Sequence, residues 1–348
     1  MKIVLCGVQV PFVKVGAEYL CDNLFSEMIK RNYDIDYVKI PFKWYPPPEI
    51  ISHSLIWKLL DLSESNGSKI DGVITTKFPS YLIHHQNNVV WLIHQHRSAY
   101  DKTNTPYDDL VSYGKSGEIV REKIRALDNK SLKAARKVYT IADNVTQRLL
   151  KYNNIKGTTL YPPPPMAGKY YGNNYDDYIL YPSRLDSLKR QDLVIRSMKY
   201  IHSDIRLKIV GEGPEKARYE KIASQYDVRD KVDFCGKVSD KDLLDLYADT
   251  SGVVYTPYDE DLGFVTMESF YSKKPVITCS DSGGSLEFVD DGKNGFVVEP
   301  DPKKIAQKID ELILEGLSGP MGEAGYNKIQ AMNLSWDTVI KNLVESLK

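Results

Sequence analysis

Four consecutive prolines, Pro162 to Pro165, preceded by Tyr161, divide the sequence into two stretches that carry the same pattern. Proline has no N–H to donate and a fixed φ, so such a run cannot lie inside a helix or a central strand. Before it, short β-branched runs (Lys2–Gly7, Asp34–Ile40, Asp71–Thr76, Val89–His94 and Lys137–Ile141) alternate with amphipathic or loop segments. After a Gly/Asn/Tyr-rich stretch the alternation restarts with Tyr178–Ser183, Arg206–Val210, Lys231–Cys235, Gly252–Thr256, Pro275–Thr278 and Gly295–Val298. Strands separated by helices imply a parallel sheet covered on both faces. The expected class is α/β, with two Rossmann-like doubly wound domains in tandem. The boundaries are read as 1–165, a linker 166–177, a second domain 178–332, and a last amphipathic helix within 333–348. One internal helix is expected over Gln191–Ile201, where Leu193, Val194, Met198 and Ile201 fall on one side.

A chain of 348 residues is long enough for two packed cores. Its 46 Lys+Arg balance 47 Asp+Glu, so no global field recruits nucleic acid, and any bound phosphate must be held locally. Four scattered cysteines, Cys6, Cys21, Cys235 and Cys279, form neither a disulfide framework nor a metal-ligand spacing. These readings point to a cytoplasmic protein. The apolar start reads as a buried strand rather than a signal peptide, because its apolar part is short and no small-residue cleavage site follows. No run of about 18 apolar residues is present to span a bilayer.

Charged residues collect where strands run into helices. Asp259-Glu260-Asp261-Leu262-Gly263-Phe264-Val265-Thr266-Met267-Glu268 follows the strand Gly252–Thr256 and opens a helix, with Glu268 two turns in. In open α/β sheets ligands bind beyond the carboxyl ends of strands, and free N–H groups at a helix start attract anions. Glu260 and Glu268 can thus flank one bound molecule; two unrelated glutamates would be surface charges. Ser183-Arg184-Leu185-Asp186-Ser187-Leu188-Lys189 occupies the corresponding place after another strand. Its guanidinium and ammonium suit a diphosphate. Trp91-Leu92-Ile93-His94-Gln95-His96-Arg97 brings two histidines to a strand end, where they suit a sugar hydroxyl or a reacting centre. No further ligand nearby completes a metal site. Gly283 and Gly284, with Glu287, allow close backbone approach, whereas Asp291–Gly295 reads as a plain turn. Gly211-Glu212-Gly213 lacks the third glycine of a dinucleotide fingerprint, which disfavours a dehydrogenase. Gly16, at the start of the first long helix, could offer N–H groups to a phosphate.

In order and spacing these motifs resemble the family-four retaining glycosyltransferases of the GT-B fold, over nearly the whole chain. The most specific match is Glu260 and Glu268 around Gly263-Phe264; Arg184-Leu185 with Lys189, Gly283-Gly284 with Glu287, and Asp291-Gly292 with Asn294-Gly295 follow the pattern too. The sequence departs from it at Val15, where many members have another glycine, at Ser183, and at Leu262. The resemblance implies two domains facing a central cleft, the first (1–165) binding the acceptor and the second (178–332) the nucleotide sugar, with the last helix (333–348) crossing back to the first. It puts Arg184 and Lys189 on the donor diphosphate and Glu268 on the ribose. Glu260 would hold the donor sugar, with Gly263, Phe264, Val265 and Gly284 beside it. It places His96, and second His94, near the transferred sugar, Gly16 by the phosphates, and Gly236 and Val238 at the base. Glu287 would orient its neighbours.

The implied reaction is transfer of a hexose from a UDP- or GDP-sugar to a hydroxyl of a glycan, lipid-linked or small-molecule acceptor, in cell-surface polysaccharide or glycoconjugate synthesis. Arg184, Lys189 and helix N–H groups would stabilise the leaving diphosphate, so no cofactor and no metal are expected. A nucleotide-sugar epimerase and a non-catalytic nucleotide-sugar binder are the alternatives. Basic residues from Arg121 to Lys137 read either as a peripheral membrane contact or as solvated helix faces.

Overall fold

The computed structural model describes residues 1–12 and 16–348. It comprises two compact units, Met1–Pro165 with Ser335–Lys348, and Met166–Leu334. In the first, strands β1 (Lys2–Gln9), β2 (Asp34–Pro41), β5 (Gly72–Thr75), β6 (Asn88–Leu92), β7 (Lys137–Thr140) and β8 (Thr158–Thr159) form one sheet in the order β2-β1-β5-β6-β7-β8. A two-residue hairpin, β3 (Glu64–Ser65) with β4 (Ser68–Lys69), stands apart. All pairings in the large sheet are parallel. Accordingly β1 and β6 are near-continuous apolar runs, buried from Ile3 to Val8 and throughout Asn88–Leu92. Helices α1 (Gly16–Lys30), α2 (Pro47–Leu59), α3 (Gly114–Ala134) and α4 (Asp143–Asn153) belong to this unit.

The second unit repeats the plan. Its strands β9 (Tyr178–Pro182), β10 (Arg206–Val210), β11 (Val232–Gly236), β12 (Gly252–Val254), β13 (Val276–Cys279) and β14 (Gly295–Val298) lie in the order β11-β10-β9-β12-β13-β14, all parallel. Helices α5 (Gln191–Ser197), α6 (Lys216–Gln225), α7 (Asp240–Asp249), α8 (Phe264–Tyr271), α9 (Pro302–Leu314) and α10 (Ser318–Ala331) connect them or follow. Helix α9 starts where Asp301 accepts from Lys303 N at 2.9 Å and Lys304 N at 3.0 Å, with Pro302 in the first turn.

Most element ends differ from the sequence expectation by a residue or two, and two of the differences have a local reason. Helix α5 stops at Ser197 rather than Ile201: the N–H groups of Met198, Lys199 and Tyr200 turn to carbonyls three residues back, and Asp310 of α9 then captures His202 N at 2.9 Å and Ser203 N at 3.0 Å. Strand β12 ends at Val254: Tyr255 N still reaches Ile277 O of β13 at 2.9 Å, but the donor after it leaves the ladder. Thr256 N goes instead to the Tyr181 hydroxyl at 3.1 Å.

The last helix, α11 (Trp336–Glu345), is part of the first unit. Ser335 caps it by accepting from Thr338 N at 3.2 Å. Its stripe of Val339, Ile340, Leu343 and Val344 is buried, and Trp336 meets Trp91 edge to face at 6.2 Å. Arg31 of the α1 end donates to Asp337 at 2.7 Å.

Candidate active site

In the second unit the chain runs from β9 outward through β10 to β11, then returns to the other side of β9 as β12. The strand order reverses between β9 and β12, where loops leaving adjacent carboxyl ends diverge and open a crevice for ligands. The loop after β9 carries Arg184 and Lys189, and the loop after β12 carries Glu260. They meet there: Lys189 Nζ donates to a Glu260 carboxylate oxygen and, at 3.1 Å, to the Tyr255 hydroxyl. Lys189 and Glu260 are both half-buried, so each keeps a face toward solvent or ligand. Arg184 is exposed, its only ion pair a long one of 3.7 Å to Asp186 among the described residues. Burial, then the Glu260 carboxylate, drives the Tyr255 hydroxyl well above its usual value.

The β9 loop is built to present these groups. Asp186 accepts from Leu188 N at 3.1 Å and starts a 3-10 turn over Ser187–Lys189. Tyr181 donates to the Lys189 carbonyl. Arg190 follows in the left-handed region, with φ 53°. Its guanidinium is buried and donates to Thr256 O and Pro257 O at 2.9 Å each, and to both carboxylate oxygens of Asp281 at 2.6 and 2.8 Å. One side chain thereby fastens the loops after β9, β12 and β13.

The loops after β12 and β13 run side by side, with Asp259 N on Asp281 O at 2.8 Å and Gly284 N on Glu260 O at 2.8 Å. Two glycines permit this approach. A Cβ on Gly284 would lie 2.5 Å from Asp261 O, and one on Gly263, at φ 82°, would lie 2.6 Å from Ser285 Oγ. Gly263 precedes α8, which starts at Phe264, so Glu268 stands one turn into the helix and not two. Glu268 is half-buried and accepts from the Tyr247 hydroxyl of α7 at 2.6 Å. Burial pushes its carboxyl up, and the Tyr247 and Tyr170 hydroxyls draw it back down.

The remaining sequence candidates of this unit lie on neighbouring loops. Phe264 and Val265 open α8, and Gly236 and Val238 leave the end of β11, with Gly236 O accepting from Gly211 N at 2.8 Å. Glu287 lies in the short 3-10 turn Gly284–Glu287. Sequence reasoning missed Arg190, Tyr255 and Tyr247. An arginine beside a lysine reads as a solvated basic pair, and tyrosines in apolar surroundings read as core. The one available signal was Tyr255, whose polar tip falls at a strand end five residues before Glu260.

Gly16, His94 and His96 belong to the first unit. Gly16 begins α1 and is exposed; the neighbouring Val15 lies outside the described residues. His94 Nδ1 is 2.8 Å from Gln95 O. His96 packs edge to face on Phe78 at 5.6 Å, and its Nδ1 is buried without a hydrogen-bond partner among the described residues. Burial, with His94 adding to it, lowers the imidazole to about 4, so it is neutral at pH 7 and offers an acceptor. Between these histidines Gln95 enters a buried polar network, donating to Asn153 at 2.7 Å. Asn153 donates to the Tyr100 hydroxyl at 3.3 Å, and Tyr100 in turn to Asp128 at 2.8 Å. Burial pushes the Asp128 carboxyl up to about 7.

The two parallel-sheet units define the GT-B fold. The chain superposes on the lipopolysaccharide glycosyltransferase WaaG with a TM-score of 0.75 at 15% identity, covering 98% of each chain. The S. aureus TarM structure gives a TM-score of 0.65 at 19% identity, covering 86% of this chain and 59% of that one. Residues 170–328 match the family described as glycosyl transferases group 1. The alpha-1,3/1,6-mannosyltransferase ALG2 of Homo sapiens is 37% identical over 112 residues, 32% of this chain and 27% of that protein. A GDP-mannose-dependent alpha-(1-6)-phosphatidylinositol monomannoside mannosyltransferase of Mycobacterium tuberculosis is 31% identical over 178 residues, 48% of this chain and 46% of that protein. These matches span about a quarter to a half of those relatives' lengths.

Proposed function

We propose that the chain is a retaining, metal-independent glycosyltransferase whose second unit binds a nucleoside diphosphate sugar at the β9/β12 switch point. The observation that carries the reading is the meeting of Lys189 and Glu260 there. A cation and a carboxylate from loops on either side of the crevice match the two ends of such a donor, its diphosphate and its sugar hydroxyls. Glu268, one turn into α8, takes the ribose, and Arg184 adds a second cation for the diphosphate. Both cations stabilise charge developing on the leaving phosphate, as a metal would elsewhere. Two relatives that match part of the chain are mannosyltransferases, one of them named for GDP-mannose, so GDP-mannose is the first donor to offer.

For His96 the resemblance implies a place beside the transferred sugar, and a neutral imidazole with an unpaired Nδ1 suits a hydroxyl donor. The acceptor would be a glycan or lipid-linked hydroxyl attacking the face the phosphate leaves. The configuration is then retained.

The test is thermal stability with UDP, GDP, ADP, CMP and NAD, each with and without EDTA, followed by turnover of the matching sugar nucleotide. A ligand at 100 times its Kd adds about 2.7 kcal/mol to the state that binds it. A shift with one nucleoside diphosphate that persists in EDTA, and an α-linked product from an α-linked donor, are expected. A shift with NAD alone, activity restored only by manganese, or an epimerised free sugar nucleotide would overturn the reading.

A further inference from the structure

Glu268 is not placed by its helix alone. Tyr247, wholly buried on α7, donates its hydroxyl to Oε2 of Glu268 at 2.6 Å. The ring of Tyr247 is itself fixed, meeting Tyr170 edge to face at 6.1 Å, while Tyr170 stacks on Tyr271 at 6.3 Å. A phenol locked by packing is a rigid donor, and a hydrogen bond to a charged acceptor is short and directional. An unbraced glutamate has three rotatable bonds to order when a ligand arrives, whereas a tethered one has lost that freedom beforehand.

We propose that Tyr247 is a positioning residue for nucleotide recognition: by holding Oε2 of Glu268 it turns Oε1 to the ribose diol of the donor. The proposal rests on the donor-site reading above and deepens it, since it makes the chain selective for ribonucleotides through a residue that does not touch them. It also accounts for a partly buried carboxylate at this position. Burial alone would push Glu268 toward its protonated form, a weaker acceptor for the ribose hydroxyls, and the phenol opposes that.

The experiment measures Kd for GDP and UDP and for their 2′,3′-dideoxy counterparts by calorimetry, on the intact chain and on three variants. The intact chain should prefer the ribonucleotide it binds. Tyr247→Phe keeps the ring and its packing and should lower that preference by about tenfold, the worth of one hydrogen bond to a charged group, leaving dideoxy affinity nearly unchanged. Glu268→Ala should abolish the preference. Glu268→Gln should retain part of it, because the Tyr247 hydroxyl still fixes the amide oxygen and turns the NH2 to the diol; this comparison holds even where Y247F folds poorly.

An unchanged preference in Y247F, an equal loss for both nucleotides, or E268Q behaving like E268A would overturn the role of Tyr247. Failure of the intact chain to bind either diphosphate would overturn the donor site itself. Binding with no preference for the diol would overturn only the ribose assignment.

Discussion

Lys189 donates at once to a carboxylate and a phenol, and that shared bonding sets what its removal should do. Lys189→Ala is expected to lower kcat/KM by 10²-fold or more, the roughly 3–4 kcal/mol of one strong transition-state donor, while leaving the fold intact because the group is half-buried. A near-normal rate would remove Lys189 from the chemistry. Asp128 makes a different prediction. Its carboxyl, raised to about 7 in the folded chain, takes up a proton on folding between about pH 4 and 7. Stability from that proton is present below about pH 4 and lost as pH rises through 7. Asp128→Asn, neutral at every pH, should therefore flatten the decline in melting temperature between pH 5 and 8. His96, lowered to about 4, acts oppositely: between about pH 4 and 6.5 the unfolded chain binds the extra proton, so its contribution to stability rises with pH. Melting curves of His96→Gln across that range separate the two slopes.

Loops, not strands, carry the site, and their arrangement depends on contacts that sequence reading does not reveal. Lys189, Glu260 and Glu268 stand out in the sequence as candidates because each is a charge at a strand-to-helix junction, where an α/β sheet places its ligands. Arg190 was not, because its partner Asp281 lies 91 residues away on another loop and nothing local marks the pair. The same limit hid Tyr247, whose hydroxyl meets Glu268 only after two helices pack. Arg190→Lys keeps the charge but cannot span a carboxylate and two carbonyls at once, so a loss of about 1–3 kcal/mol from the second unit is expected. Urea titration would check it, with nucleoside diphosphate affinity falling in parallel. Gly263→Ala should cost a similar amount, about 1–3 kcal/mol, from left-handed strain and contact with Ser285.

For the whole molecule, two α/β units were legible from a pattern that stops at Pro162–Pro165 and restarts. The hairpin β3–β4 and the short β8 were not, since two-residue strands carry no periodicity to read. Amphipathicity alone left the last segment free to cover either core, and only the resemblance placed it on the first. It covers the first, so Leu343→Ala should destabilise that unit by about 2–5 kcal/mol and leave the second unchanged. Hydrogen exchange would show lost protection in β1 and β6 but not in β9 and β12.

Because the first unit is assembled from Met1–Pro165 and Ser335–Lys348, the order in which its parts leave the ribosome differs from the order in which they can be finished. The second unit has all its residues once Leu334 is made, whereas the first, begun earlier, waits with its α11 groove uncovered until the final turn emerges. Units generally fold as wholes, N-terminal first. Here the later one can close before the earlier one, and a chain truncated after Leu334 should fold its second unit while its first half stays open to chaperones.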